Sequence, residues 1–337
     1  MAIMDRRTFL TRAAIAAGAV GAATLVGERI VRRREALPWD EAAFAPPGTA
    51  RVAVLGATSY DVGLEDVVGQ GLRAIGTDVR GARVVLKPNL VEFDEGTAIN
   101  TDPRLVAAAV VALRRLGAAE IVVGEGPGHR RDTQFVVASS GLLEALDAVD
   151  ARFVDLNTDA IGRVPLRSRY TPLGDLWLPR TIADADVVIS MPKMKTHHWA
   201  GVTLSLKNCF GCVPGRVYGW PKNALHWAGL EQSILDVAGA VRPDYAIVDG
   251  IVGMEGNGPI QGTPIAANVL VFGDDPVATD VVSARVMGFD PEKIAYLAEA
   301  GRFLGQADMD RIREEGEDVD AVTTDFATLP QFSSMKA

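Results

Sequence analysis

Residues 186–198 have the sequence DVVISMPKMKTHH, in which a short apolar run is followed at once by basic side chains. The run from Val187 to Ile189 has no polar interruption, which is typical of a strand that is covered on both faces. Two lysines and two histidines then follow: Lys193, Lys195, His197 and His198. In open α/β sheets, ligands bind beyond the carboxyl ends of the strands. This stretch therefore predicts both a fold class and the position of a site.

Similar apolar runs recur along the chain, at residues 51–55, 83–86, 120–123, 152–154, 245–248 and 268–272. Helical patterns lie between some of them, at residues 102–115, 223–241 and 275–288. The first begins with Asp102 before Pro103, a capping carboxylate followed by proline at the first helical position. This alternation predicts an α/β fold, with a mostly parallel sheet, helices on both faces and a site at the carboxyl ends of the strands. We expect a single domain over residues 50–337, with its core in residues 50–290.

The composition is that of a folded protein and excludes several classes. Hydrophobic residues make up 48% of the 337 residues and charged residues 23%, which excludes a disordered chain and a polytopic membrane protein. The formal net charge of −9 makes a general nucleic-acid binder a poor candidate, because such proteins usually carry a basic surface. Two cysteines are too few for a disulfide scaffold.

The first 27 residues have the pattern of an export signal. Arg6 and Arg7 precede Phe9 and Leu10, and a run without charge extends over residues 13–26. This predicts a twin-arginine signal over residues 1–27 and a linker over 28–49, with export to the periplasm or another extracytoplasmic space. An uncleaved membrane anchor stays an alternative, since three arginines follow the apolar run at residues 32–34. The export machinery is thus one expected partner.

Basic and amide side chains at or near the predicted strand ends form a candidate anion-binding group. A lysine ammonium suits phosphate or carboxylate, and asparagine amides can orient such a ligand by hydrogen bonds. The candidates for substrate binding are Lys87, Asn89, Lys193, Lys195, Lys207 and Asn208. The alternative is that each lysine pairs with a neighbouring carboxylate.

Three aspartates are candidate ligands of a divalent metal, because hard cations prefer carboxylate oxygens. Asp249 follows a predicted strand, Asp275 follows another, and Asp280 lies on a buried helical stripe. Asp275 also precedes Pro276, so a helix cap is an equal alternative for it.

The histidines and cysteines leave several alternatives open. His198 or His226 is the candidate proton carrier, and adjacent His197 and His198 are expected to point apart. Cys209 and Cys212 form a Cys-x-x-Cys pair without a second pair. They can form a disulfide, hold an iron–sulfur cluster shared across a homodimer, or be plain buried thiols.

Several motifs together resemble the family catalogued as domain of unknown function 362, over about residues 50 to 290. The motifs are Lys87-Pro88-Asn89, Met191-Pro192-Lys193-x-Lys195-x-His197, Thr203-x-x-x-Lys207-Asn208-x-x-Gly211, Asp249-Gly250, Gly256-x-Gly258-Pro259 and Asp275-Pro276-Val277-Ala278-x-Asp280. The resemblance implies an α/β fold with a site at these positions, and it implies no particular reaction. Some members carry appended ferredoxin-like cysteine motifs, which this sequence lacks, so the link to iron–sulfur chemistry is loose.

These features predict an exported enzyme that acts on a small anionic substrate, a phosphate or a carboxylate, with a divalent metal. Two alternatives remain at this point. One is a redox protein in which Cys209 and Cys212 hold an iron–sulfur cluster between two subunits. The other is a periplasmic carrier that binds the anion without chemistry.

Overall fold

The computed structural model describes residues 37–45, 48–61, 63–128 and 132–337. The predicted signal over residues 1–27 therefore lies outside the described residues, as does His129. Among the residues described, no helix is both long and apolar enough to cross a membrane.

Thirteen strands can be traced through the described ranges. They are β1 Ala50–Gly56, β2 Arg83–Pro88, β3 Glu120–Glu125, β4 Arg152–Asp155, β5 Ile161–Val164, β6 Leu176–Pro179, β7 Val187–Met191, β8 Lys193–His197, β9 Gly201–Thr203, β10 Tyr245–Glu255, β11 Thr263–Ile265, β12 Val269–Gly273 and β13 Ile312–Gly316. The main sheet has the order β13-β1-β12-β10-β7-β2-β3-β4, while β5 and β6 form a separate ribbon.

The helices of the same ranges connect these strands. They are α1 Leu64–Ala74, α2 Pro103–Arg115, α3 Thr133–Ser139, α4 Leu142–Ala148, α5 Arg180–Ala183, α6 Ser205–Asn208, α7 Gly215–Tyr218, α8 Asn223–Trp227, α9 Leu230–Val241, α10 Pro276–Val286, α11 Ala295–Ala300 and α12 Val319–Val322. Short 3₁₀ turns lie at Cys209–Cys212, Pro291–Lys293, Met309–Arg311 and Pro330–Met335.

Alternate strand residues pack into two cores, one on each face of the sheet. In β1, Val52 and Val54 belong to the core beneath α9, α10 and α11, whereas Ala53 and Leu55 belong to the core beneath α1, α2 and α4. A strand places successive side chains on opposite faces, so apolar residues in succession require cover on both sides. The predicted α/β fold with helices on both faces of a mostly parallel sheet is confirmed.

Within this order of eight strands, β12 runs against the others, and this corrects part of the predicted site. Strand β12 is antiparallel to both β1 and β10, with Gly273 opposite Val52 and Ala246. Its carboxyl end therefore lies at the edge where β1 and β10 begin. The expectation that Asp275 shares an edge with the ends of β2, β3 and β7 is wrong for this reason.

Two further differences concern element boundaries. The helix predicted over residues 223–241 is two helices, α8 and α9, because Gly229 between them has a φ of 103° that a helix cannot contain. The sheet also extends past residue 290, where β13 pairs in parallel with β1.

Strand β10 positions the segment that carries the basic residues. It has 11 residues and pairs first with β7, through Tyr245 and Ala246. Further along, Asp249 and Met254 lie opposite Lys193 and Lys195 of β8. Strand β8 therefore occupies the place beside β10 that β7 leaves.

Candidate functional site

A cavity of about 320 Å³ lies beyond the carboxyl ends of β2 and β3. We call it the strand-end cavity. It brings together six of the residues that the sequence predicts for a site, namely Asn89, Lys195, His198, Lys207, Asn208 and His226. These residues come from distant segments, because the loop after β2, strand β8 and helices α6 and α8 all meet there.

Strand β8 presents its basic side chains on one face. Residues two apart in a strand share a face, so Lys193, Lys195 and His197 point the same way. Lys195 is fully buried, and its Nζ donates to the carbonyl oxygen of Ile99 over 2.7 Å. Burial, and then the nearby Lys193 ammonium, lowers the pKa of Lys195 well below its usual value.

Lys207 supplies a cation that has no acidic partner among the described residues. It belongs to α6, lines the strand-end cavity, and its Nζ lies 4.0 Å from the centroid of the Phe210 ring. Burial, and then the charge of Lys87, lowers the pKa of Lys207 to about 8. An ammonium that is both desolvated and unpaired is favourable for an incoming anion.

Two buried polar atoms of the cavity wall have no hydrogen-bond partner within the described ranges. They are Oδ1 of Asn89, a residue 7% exposed, and Oγ1 of Thr203, which is 4% exposed. Buried polar atoms are nearly always satisfied in native proteins, so unpartnered ones at a cavity wall indicate a place for a polar ligand or water.

The three histidines of the cavity have two different tautomers, which their backbone hydrogen bonds assign. Nδ1 of His197 accepts hydrogen bonds from the backbone N–H groups of Trp199 (3.0 Å) and Ala200 (3.1 Å), so its proton must lie on Nε2. Nδ1 of His198 donates to the carbonyl of Gly258 over 2.7 Å, which leaves Nε2 with a free lone pair.

His226 resembles His198 rather than His197. Its Nδ1 donates to the carbonyl of Lys222 over 3.1 Å, and burial lowers its pKa. Burial also lowers the pKa of His197 well below the usual value, so that ring stays neutral. His197 can donate a hydrogen bond into the cavity, whereas His198 and His226 can accept a proton. The expectation that His197 and His198 point apart is wrong, because their rings stack with centroids 4.9 Å apart and both line the cavity.

Lys87 does not reach the cavity as a free cation. Its Nζ forms an ion pair with Glu125, both side chains being only 1% exposed, and donates to Oδ1 of Asn208 over 2.8 Å. The alternative reading, a lysine paired with a carboxylate, therefore holds for Lys87. A Cβ at Gly211 would lie 1.9 Å from Oε1 of Glu125, so only glycine lets the 209–212 turn approach this pair.

Lys222 is a cavity residue that the sequence analysis missed. Its Nζ donates to the carbonyl oxygens of Gly126 (2.6 Å) and Phe210 (2.8 Å), and burial lowers its pKa to about 7. No predicted strand precedes Lys222, so the strand-end rule that located Lys87, Lys193 and Lys195 could not find it. The only signal was the long Pro/Gly-rich segment 209–222 in which it lies.

Lys193 and Asp249 form a separate buried cluster. Nζ of Lys193 lies 2.6 Å from Oδ2 of Asp249, and the hydroxyl of Tyr60 donates to Oδ1 of the same carboxylate over 2.7 Å. The backbone N–H of Asp102 donates to Asp249 as well, over 2.9 Å. Burial, and then the charge of Asp249, raises the pKa of Tyr60. This cluster lies on a different cavity, of about 410 Å³, which Lys193 and Tyr60 line.

Asp275 and Asp280 accept hydrogen bonds from helix termini. Asp275 caps α10 by accepting from the N–H groups of Val277 (2.8 Å) and Ala278 (3.1 Å), and burial raises its pKa to about 6. Asp280 accepts from the first N–H groups of α6, those of Ser205 (2.6 Å) and Leu206 (2.9 Å). Burial raises the pKa of Asp280 to about 8. Asp280 thus fixes the helix that carries Lys207.

The three aspartates do not form a shared cation site. Asp249, Asp275 and Asp280 are held by three different sets of protein donors. Within the described ranges, no three or more His, Cys, Asp or Glu side chains are grouped as metal ligands. The divalent metal therefore stays a prediction, and the hydrogen bonds within the described ranges give these three carboxylates separate structural roles.

Cys209 and Cys212 are free thiols inside the core. Both are fully buried, and burial raises the pKa of Cys212 to about 12 and that of Cys209 well above its usual value. Of the three alternatives from the sequence, the buried thiols match this arrangement. A cluster shared with a second subunit would need both sulfur atoms at the surface.

Comparison with known proteins gives a relative and two distant structural matches. The thylakoid-associated protein sll1697 of Synechocystis sp. (strain ATCC 27184 / PCC 6803 / Kazusa) is 32% identical over 263 residues, which cover 74% of this chain and 78% of that protein. The lactate racemase apoprotein of Thermoanaerobacterium thermosaccharolyticum matches with a TM-score of 0.46 and 13% identity, over 72% of this chain. A protein from Thermotoga maritima matches with a TM-score of 0.39 and 14% identity, over 65% of this chain and 56% of its own.

The present chain spans 57% of the racemase apoprotein.

The family assignment rests on sequence. Residues 84–285 match the family described as "Domain of unknown function (DUF362)", and this range includes the cavity residues from Asn89 to Ile260. The range is more than half of the 337 residues, and the Synechocystis relative is similar over most of its length. This chain belongs to the DUF362 family.

Proposed function

We propose that this protein is an exported enzyme that binds a small organic anion, a carboxylate or a phosphate, in the strand-end cavity and transfers a proton to or from it. The observation that carries the proposal is the Lys207 ammonium, which lines the cavity without an acidic partner among the described residues. The unpartnered oxygens of Asn89 and Thr203 lie in the same wall. The Thr203 hydroxyl can donate a hydrogen bond to the anionic group, whereas Oδ1 of Asn89 can only accept one, from a hydroxyl or other donor elsewhere on the ligand.

The charge of the cavity supports an anionic ligand. Three lysines line it, namely Lys195, Lys207 and Lys222, and the one carboxylate of its described lining, Glu125, is paired with Lys87. Burial lowers the pKa values of Lys195 and Lys222, so the positive charge of the wall rests mainly on Lys207, in a chain whose net charge is −9. A cationic pocket with low-dielectric walls concentrates anions even on an acidic protein.

The histidines supply the proton chemistry of the proposal. His198 and His226 each have Nδ1 held by a backbone carbonyl and Nε2 left with a lone pair, so either ring can act as a base. His197 cannot, because its Nδ1 accepts two backbone N–H groups. We assign it the role of a neutral donor to the bound anion.

Binding of acetate should weaken as the pH rises through about 8. Lys207 binds an anion in its protonated form, and its pKa in the free protein is about 8. Affinity is therefore fully present below about pH 7 and is lost above the pKa, about tenfold for each further pH unit. Titration calorimetry with acetate from pH 6 to 9.5 measures this, because acetate itself stays ionised over that range.

The histidine variants separate binding from chemistry. His198→Gln and His226→Gln should keep the acetate affinity of the wild type. With the 2-oxo acid pyruvate in D₂O, the wild type should speed deuterium uptake at the methyl group, and the variant that combines His198→Gln with His226→Gln should not. An acetate affinity that does not change with pH would contradict the proposed anion site at Lys207. If the wild type binds acetate but does not speed deuterium uptake, the protein is a carrier of the anion and not an enzyme.

Export is tested by the two arginines of the predicted signal. Arg6→Lys together with Arg7→Lys should retain the protein in the cytoplasm, because this pathway reads the arginine pair itself. The matched control is Arg33→Lys together with Arg34→Lys, which should be exported normally. Cell fractionation followed by immunoblotting gives the distribution, and equal export of both double variants would contradict the signal assignment.

A further inference from the structure

The strand-end cavity has a polar inner part and an apolar mouth. Lys195 is fully buried, and Asn89 and Thr203, which carry the unpartnered oxygens, are almost as deep. At the mouth, by contrast, the Trp199 side chain is 61% exposed, and Pro221 is exposed as well. A ligand that satisfies both parts has an ionic or polar end and an apolar end.

Aromatic rings form a continuous wall from the mouth to the cation. The ring centroids of Trp199 and His226 are 5.5 Å apart, and those of His226 and Phe210 are 6.0 Å apart. Lys207 then lies 4.0 Å from the Phe210 ring. Rings at these separations favour a further flat ring through stacked or edge-to-face contact.

The size of the cavity also exceeds what a bare anion fills. A volume of about 320 Å³ is equal to about ten waters at about 30 Å³ each. It lies at the lower end of the range found for organic ligands, which begins at about 300 Å³. An inorganic phosphate or an acetate would leave most of the apolar mouth in contact with water.

We propose that the ligand of this site is an aromatic or similarly flat apolar anion, with its carboxylate or phosphate group at Lys207 and its flat body against Trp199, His226 and Phe210. This inference rests on the proposed function, since it assumes that Lys207 holds an anion. It adds the substrate class. Trp199 is then a specificity-determining residue, because it is the most exposed of the three rings and sets the contact at the mouth.

The test compares matched pairs of probes by titration calorimetry. Benzoate should bind the wild type at least about tenfold more tightly than acetate, since ring contact and apolar burial together exceed about 1.4 kcal/mol. Phenyl phosphate should exceed inorganic phosphate in the same way if the headgroup is a phosphate. Benzamide, which keeps the ring and lacks the charge, should bind more weakly than benzoate.

The variants assign the preference to one ring. Trp199→Leu should bring the benzoate-to-acetate ratio below about threefold while the acetate affinity stays unchanged, because leucine keeps bulk without the ring. Trp227→Leu is the matched control, since Trp227 is 83% exposed and is absent from the cavity lining. It should keep the full ratio.

Two outcomes would overturn the inference and can be told apart. If acetate binds and benzoate binds no better, or if Trp199→Leu keeps the ratio, only the aromatic assignment fails. If neither acetate nor phosphate binds, and benzamide equals benzoate, the anion site itself fails and the inference fails with it.

Discussion

Replacing Lys207 by methionine should lower the affinity for acetate by roughly a hundredfold, which corresponds to about 3 kcal/mol. The reason is that a partly buried ammonium without an acidic partner among the described residues can give its full charge-assisted hydrogen bond to the ligand. The fold should survive, because burial already lowers the pKa of Lys207 to about 8 and so disfavours the charged side chain. Titration calorimetry at pH 6.5 measures the affinity, and thermal unfolding shows that the variant is folded.

Two controls make this result specific to the charge at that position. Lys207→Arg should retain part of the affinity, because it keeps a cation within the cavity. Lys293→Met, at an exposed lysine of the 3₁₀ turn Pro291–Lys293, should bind acetate like the wild type. A folded Lys207→Met variant with wild-type affinity would remove the central assumption of the proposed function.

The second large effect is expected on stability, from the ion pair behind the cavity. Lys87→Met leaves the Glu125 carboxylate buried and without its cation, which typically costs about 3 to 5 kcal/mol. In a domain of this size that lowers the unfolding midpoint by about 10 °C. Thermal unfolding followed by circular dichroism measures the shift.

A double-mutant cycle distinguishes the pair from simple loss of packing. Lys87→Met combined with Glu125→Gln should recover stability, with a coupling energy of at least about 2 kcal/mol, since neither buried charge then lacks a partner. Arg80→Met is the matched control, because Arg80 pairs with Asp78 at the surface and should show no measurable change. Additive effects of the two single variants would show that the pair is not coupled.

The fold could be predicted to a large extent because its signals are local. Continuous apolar runs such as Val187–Ile189, separated by helical patterns with capping residues, predict buried strands that alternate with helices. Asp102 before Pro103 does cap α2, and its side chain accepts from the N–H of Arg104. Burial on both faces of a strand and the capping of a helix are both decided within a few residues.

The direction of β12 could not be predicted in this way. An apolar run has the same pattern whether the strand lies parallel or antiparallel to its neighbours, so Asp275 was placed at the wrong edge of the sheet. The reversal follows from long-range pairing with β1 and β10, which the residues 268–272 do not encode by themselves. For the same reason the three aspartates were grouped although the fold separates them.

For the candidate site, the sequence by itself determined the types of residue, and it placed Asn89 and Lys195 behind strand ends. These two do meet Lys207 and Asn208, which belong to α6, in one cavity. Only the tertiary structure decided which lysine is free. Lys87 meets Glu125 across 38 residues of sequence and Lys193 meets Asp249 across 56, whereas Lys207 meets an aromatic ring. The physical reason is that an ammonium already paired with a carboxylate has little attraction left for an anionic ligand. Whether a carboxylate lies within hydrogen-bonding distance is set by the packing of segments that are far apart in sequence.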